Sequence, residues 1–191
     1  MPVKQALLFG LGVLIFSIQS AFAVTKEDLY QNWPLPAENQ SFTEERYDAL
    51  LELKSVYRGV FHFYGAQSFE IEYQSPIQGS LSLKDSLLSI DFPQRKLEIG
   101  LSQLPEVAQF LLPLQSLMSG HPQALEKQYQ VSVESLPSNR WRLILEPRSA
   151  MSLTANRVTV TGKTENNQSR VLDIQLDFKS GDWRRFELSY E

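Results

Sequence analysis

The chain has 191 residues, with 18 Lys and Arg against 22 Asp and Glu, a net charge of −4, two His and no Cys. The mild acidity argues against nucleic acid as a partner and against a polybasic surface that docks on anionic lipid. The missing Cys excludes disulfides and thiolate chemistry, and it excludes attachment of a lipid to this chain through a cysteine.

Lys4 supplies a positive start, Ala6 to Ile18 is an uncharged, mostly apolar run, and Ala21-Phe22-Ala23 is a small-x-small site. This is the pattern of a secretory signal peptide over residues 1–23, cleaved after Ala23. The run falls short of the ~20 residues that a bilayer-spanning helix needs. Residues 24–191 then form one domain, exported to the periplasm and large enough to bury a core without staples.

Thr25, followed by Glu27 and Asp28, marks a helix N-terminus, and Trp33-Pro34-Leu35-Pro36 ends that helix. From Phe42 to Phe92 apolar residues recur mostly at every second position: Phe61 and Phe63, then Phe69, Ile71 and Tyr73, then Leu81 and Leu83, then Leu88, Ile90 and Phe92. Alternation of this kind marks antiparallel strands with one apolar face. Gly65-Ala66, Pro76 to Gly79 and Lys84-Asp85-Ser86 supply the turns. The segment Phe42 to Leu53 stands apart, because its composition favours a helix.

Over residues 104–119 the period becomes helical. Val107, Phe110, Leu111, Leu114, Leu117 and Met118 form one stripe, with Pro105 at the first helical position and Gly120 beyond the end. Pro113 lies inside this helix, where it predicts a kink at a cost of roughly 3 kcal/mol. A short second helix is predicted over residues 122–128. Strands return at Tyr129 to Leu136, paired with Arg140 to Glu146, then at Arg157 to Gly162, and at Val171 to Phe178, paired with Trp183 to Tyr190 across Ser180-Gly181-Asp182. Many strands, one helical insertion and more strands make an antiparallel sheet or barrel with helices on one side.

No nucleophile elbow, phosphate loop, dinucleotide fingerprint or His-Glu-x-x-His motif occurs. His62 and His121 read as structural or solvent-exposed, and two His with no Cys are poor material for a metal site. No cofactor is expected. Glu44, Glu45, Glu70 and Glu72 read as the solvated face of amphipathic elements. The helical stripe has two readings at this point, an ordinary core face or the wall of a cavity.

Several segments resemble the LolA superfamily of lipoprotein carriers, in its divergent LolA-like branch. Ser41-Phe42-Thr43 is similar to the Ser-Phe-Thr of its first strand, and Gly59-Val60-Phe61-His62-Phe63 to its Gly-x-Leu-x-Val second strand. Gln67-Ser68-Phe69-Glu70-Ile71 stands at the spacing of its Asn-Leu-Phe-Asn-Trp, Pro76 matches a proline, Leu81 to Ile90 resembles a strand–turn–strand hairpin, and Trp141-Arg142-Leu143 through Leu145 to Pro147 resembles a Phe-x-Leu-x-Pro strand end. The resemblance runs over residues 41–190.

It implies an incomplete, curved antiparallel β-barrel covered by a helical lid, with Phe42 to Leu51 a strand against its propensity and helix 104–119 the lid. It further implies an acyl-binding wall of Phe61, Phe63, Phe69, Ile71, Leu81 and Leu83, faced by Phe110, Leu111, Leu114 and Met118. The implied function is that of a monomeric, non-enzymatic periplasmic carrier. It would take an acylated cargo, a lipoprotein, from an inner-membrane donor complex to an outer-membrane acceptor. One departure concerns the arginine that holds the lid in these carriers: Gly65 and Ala66 occupy its Arg-Pro positions, and Arg46 and Arg58 are the candidate substitutes. A free lipid, glycolipid or lipid-linked polyene as cargo, or a non-carrying interaction module with a filled core, are the competing readings. A lipid-modifying enzyme would lack a recognisable nucleophile or metal set.

Overall fold

A computed structural model describes residues 24–33, 39–65, 68–148, 155–166 and 168–190. The signal-peptide segment, and Ala66 and Gln67 of the resembling motifs, lie outside the described residues. Helix α1 spans Lys26–Gln31 and starts at a capping box, in which the Thr25 hydroxyl accepts from the Asp28 amide. Six strands follow: β1 (Asn39–Asp48), β2 (Leu53–Phe63), β3 (Ser68–Ser75), β4 (Gly79–Lys84), β5 (Leu87–Phe92) and β6 (Arg95–Gly100). After a 3₁₀ turn, helix α2 spans Pro105–Met118. The chain ends in β7 (Tyr129–Leu136), β8 (Arg140–Pro147), β9 (Ala155–Glu165), β10 (Gln168–Phe178) and β11 (Trp183–Leu188).

The strands form one open, curved, antiparallel sheet in the order β6-β5-β4-β3-β2-β1-β11-β10-β9-β8-β7. Each half is a meander of chain neighbours, and the β1–β11 pairing joins the halves, with Phe42 opposite Leu188 and Arg46 opposite Arg184. Inner-face residues line up in rows across the strands. One row runs Phe61, Ile71, Leu81, Ile90, Leu97. Another runs Phe186, Ile174, Val160, Leu143, Val133. Apart from Leu97 at the edge, their side chains join those of α2 in a single apolar cluster. The edge strand β6 carries Arg95, Lys96 and Glu98, charges that discourage pairing with another chain.

Two strand ends differ from expectation. The first strand ends at Asp48 instead of Leu51, because the chain turns there and leaves Leu50 90 % and Leu51 61 % exposed. The short helix expected after α2 is a 3₁₀ helix over Pro122–Lys127. Strand β6 carried no sequence prediction; its inward residues are Leu97 and Ile99 alone, too few to set a period. Strand β11 ends at Leu188, short of Tyr190. Helix α2 continues through the buried Pro113, and Gly120 follows its end with φ +77°, the left-handed conformation that closes a helix.

Trp141 on β8 is fully buried, and its indole lies flat across its cross-strand partner Gly162 on β9. Any Cβ at position 162 runs into that ring. Gly162→Ala is therefore expected to destabilise the fold by about 1–3 kcal/mol, the usual cost of overpacking, seen as a lower denaturation midpoint with an unchanged denaturant slope.

Candidate functional site

The six predicted wall residues all project from the inner face. Phe61, Ile71 and Leu81 form one cross-strand row of β2, β3 and β4, and Phe63, Phe69 and Leu83 form the next. Phe61 and Ile71 have no exposed surface, Phe69 and Leu83 almost none, while Phe63 and Leu81 are half-buried. Phe61 also sits in an aromatic group, 4.5 Å from Phe42, 5.5 Å from Phe186 and 6.1 Å from Phe63 between ring centroids. Phe42 and Phe186 extend the wall across the β1–β11 seam. For Phe42 the sequence offered only its place in the Ser41-Phe42-Thr43 segment.

From the helix side, Leu111, Leu114 and Met118 are buried and share the cluster with the sheet. The side chain of Phe110 lies outside the described residues. Helix α2 lies against β9, among other elements. Stripe and wall are parts of one apolar interior.

The end of α2 is also fastened by Trp33, a residue with no sequence signal beyond its place before a proline. Its indole N–H donates to the Leu117 carbonyl over 2.7 Å in a buried contact, and its ring lies 5.7 Å from that of Trp141. The carbonyls of a helix's last turn lack intrahelical partners, so an outside donor there is stabilising. Lys26 pairs with Glu126 at 2.9 Å and Arg148 donates to the Glu126 and Tyr129 carbonyls, which fastens the 3₁₀ helix beside α2. Of the candidate substitutes for the lid-holding arginine, Arg58 is exposed and Arg46 is engaged by Glu44.

Glu44 corrects the expectation of a solvated carboxylate: it has no exposed surface. It shares a strand face with Gln40 and Phe42, both buried. Arg46 grips it through Nε at 2.8 Å and a terminal nitrogen at 2.7 Å, and Arg184 stands 3.9 Å away. The Arg46 guanidinium lies over the rings of Tyr57, at 3.9 Å, and Tyr73, at 5.2 Å. Burial works against the charge on Arg46, but the Glu44 carboxylate outweighs it and raises the pKa. Burial, then the neighbouring Arg46, lowers that of Arg184. Burial, with Glu44 beside it, raises the Tyr73 hydroxyl and keeps it protonated.

Glu45 is exposed as expected, and Glu70 and Glu72 lie on the outer face of β3. His62 bridges Asn39 and Glu72 there, at 2.7 Å to each, a structural contact. His121 is exposed and precedes the 3₁₀ helix. Among the described residues no group of three or more His, Cys, Asp or Glu is placed to hold a metal ion. The interior is suited to packing against hydrocarbon.

Trp33→Phe keeps a ring against Trp141 and removes one buried hydrogen bond. It is expected to cost about 0.5–1.5 kcal/mol, and to speed amide hydrogen exchange in the last turn of α2 before that of β8 and β9. Unaltered exchange in that turn would show that the Trp33 bond does not hold the helix.

The solved structures similar to this chain include a LolA superfamily protein from Nitrosomonas europaea, with 13% identity, 88% of this chain and 93% of that one covered, and a TM-score of 0.43. They also include a DUF1329 family protein from Desulfovibrio piger, at 9% identity, 79% and 82% coverage and 0.46. A third is the lipoprotein LppX of Mycobacterium tuberculosis, at 10% identity, 80% and 85% coverage and 0.37. A comparison with curated proteins gave no match. Residues 19–185 match the profile of one family over nearly the whole sheet and its helices. The chain belongs to the family described as outer membrane lipoprotein carrier protein LolA-like.

Proposed function

We propose that the protein is a periplasmic carrier that shields the acyl chains of a lipidated cargo, a lipoprotein, between an inner-membrane donor and an outer-membrane acceptor. The observation that carries this reading is the inner face itself, in a chain of this family. Rows of Phe, Leu, Ile and Val cross the sheet, and a helix with its own apolar stripe covers part of it. The wall residues are those from Phe61 to Leu83, and Leu111, Leu114 and Met118 belong to the cover. Phe110 is assigned to the cover from its place in the stripe.

The energetics fit a shuttle without a catalytic group. Each methylene taken out of water is worth about 0.8 kcal/mol, so a chain of about a dozen gains roughly 10 kcal/mol on such a wall. A bilayer gives nearly the same gain, since lipid tails are as apolar as leucine. Transfer between membrane and carrier is then close to balanced, and direction comes from the donor and the acceptor. Met118 and the leucines of α2 are side chains that repack readily around a guest.

The test is to express the full chain with its leader, purify it from the periplasm without detergent, and record native mass spectra with lipid extraction. A mature mass beginning at Val24 with an acylated species bound is the expected result. A mature mass with nothing bound, and no uptake of a fluorescent fatty acid, would sink the carrier reading in favour of an interaction module with a filled core. Phe63, half-buried at the end of β2, is the place to introduce a charge at least cost to folding. Phe63→Glu is expected to weaken fatty-acid uptake about tenfold or more, because a desolvated carboxylate faces the chain, while far-ultraviolet circular dichroism stays native.

A further inference from the structure

The turn between β1 and β2 carries apolar side chains where a solvated turn carries polar ones. Leu50, Leu51 and Leu53 are 90, 61 and 60 % exposed, and Val56 further along β2 is exposed as well. Single exposed leucines are ordinary, but a cluster of them marks a contact surface. The turn is also held in shape. The Asp48 carboxylate accepts from the Leu51 amide at 2.9 Å, and Asp182 of the β10–β11 turn accepts from the Ala49 amide at 2.8 Å. Behind the leucines a row crosses three strands, with Lys54 of β2, Tyr47 of β1 and Trp183 of β11. The Tyr47 and Trp183 rings stack at 5.9 Å, and the Lys54 ammonium lies 5.5 Å from the Trp183 ring.

We propose that this turn is a membrane-contacting tip, which seats Leu50, Leu51 and Leu53 in the interfacial layer of a phospholipid bilayer. Area and chemistry select lipid over a protein partner. A stable protein interface covers about 800 Å² on each side, and three leucine side chains on one turn fall well short of that. A bilayer surface requires no matching shape. The row behind the leucines has the chemistry of the interface, since Trp and Tyr settle at headgroup level and a lysine stem lies along apolar surface while its ammonium reaches the phosphates. Glu52, exposed in the same turn, limits the depth, because a carboxylate is costly in hydrocarbon. Charge sets the kind of lipid. Asp48, Glu52 and Asp182 stand against Lys54 and Lys179 around the turn, so no basic excess draws it to anionic headgroups, and contact is through apolar insertion. This goes beyond the carrier reading: acyl uptake tests the interior, membrane contact tests the tip, and either can fail alone.

The experiment floats the mature protein with vesicles of phosphatidylcholine alone and of phosphatidylcholine mixed with phosphatidylglycerol. The wild type is expected to bind phosphatidylcholine at least as well as the mixture. Leu50→Ser combined with Leu51→Ser is expected to lower the partition coefficient about tenfold or more, with an unchanged melting curve because both side chains are exposed. Leu87→Ser serves as control. Leu87 is also exposed but lies at the β4–β5 hairpin, at the other end of the sheet, and its substitution is expected to leave binding unchanged. Trp33 and Trp141 are buried, so brominated phosphatidylcholine is expected to quench the emission of the wild type and to leave that of Trp183→Phe nearly unquenched. Absence of wild-type flotation, a partition coefficient unchanged by the double substitution, or an equal loss in Leu87→Ser overturns the tip. Quenching that persists in Trp183→Phe overturns the placement of the aromatic row at headgroup level. Binding to the anionic mixture alone overturns apolar insertion. A leucine-dependent dimer in sedimentation without vesicle binding assigns the turn to a protein contact and overturns the lipid assignment.

Discussion

The pairing of β1 with β11 is the constraint on which the rest of the molecule depends. Each half of the sheet is built from hairpins between chain neighbours, but this one seam joins strands from opposite ends of the chain. Its register decides whether the two sets of inward residues form one surface. A slip of one residue would turn Phe186 and Leu188 outward and bring Arg185 and Glu187 in. The flanks of the seam are pinned accordingly. Asp182, in the β10–β11 turn, accepts from the Ala49 amide in the β1–β2 turn at 2.8 Å, and that bond, with one from Ser180, holds its carboxyl below the usual range. At the other end the Ser189 amide donates to the Ser41 carbonyl.

Against that background the charged cluster on the seam is costly. A carboxylate without solvent needs its lone pairs filled, and a hydrophobic residue of the same volume is often the more stable choice at such a place. Glu44 meets the requirement through Arg46, whose guanidinium in turn is sandwiched by aromatic rings, so the charge is compensated in layers.

The sequence was most legible where the inner face is apolar throughout. Strands β2 to β5, with Phe61, Ile71, Leu83 and Leu88 inward, show clean alternation, and six wall residues read from it occupy two adjacent rows of one face. It was least legible in β1, whose inward positions include Gln40, Glu44 and Arg46. Alternation vanishes when most of the inward positions are polar, and the remaining composition favours a helix. Only the resemblance to a carrier family read it as a strand. A parity signal was nonetheless present, since Glu44 stands two residues from Phe42 and so must share its face. Trp33 was invisible for a different reason: a lone tryptophan in a short connection has no period, and its role arises from tertiary contact with Leu117 and Trp141.

The hydrogen bonds that tie α2 to its surroundings follow from where its backbone groups lack partners. Its last turn is tied down by Trp33, and the adjoining 3₁₀ helix by Arg148 and the Lys26–Glu126 pair. Its first turn has no side-chain cap; Leu104 stands at the cap position and Pro105 follows. Pro113, in the middle, donates no hydrogen bond to the turn before it. The described tertiary hydrogen bonds of the helix thus gather at its C-terminal end, where the chain passes into the 3₁₀ helix, while its middle lacks the bond that a residue other than proline would donate at position 113.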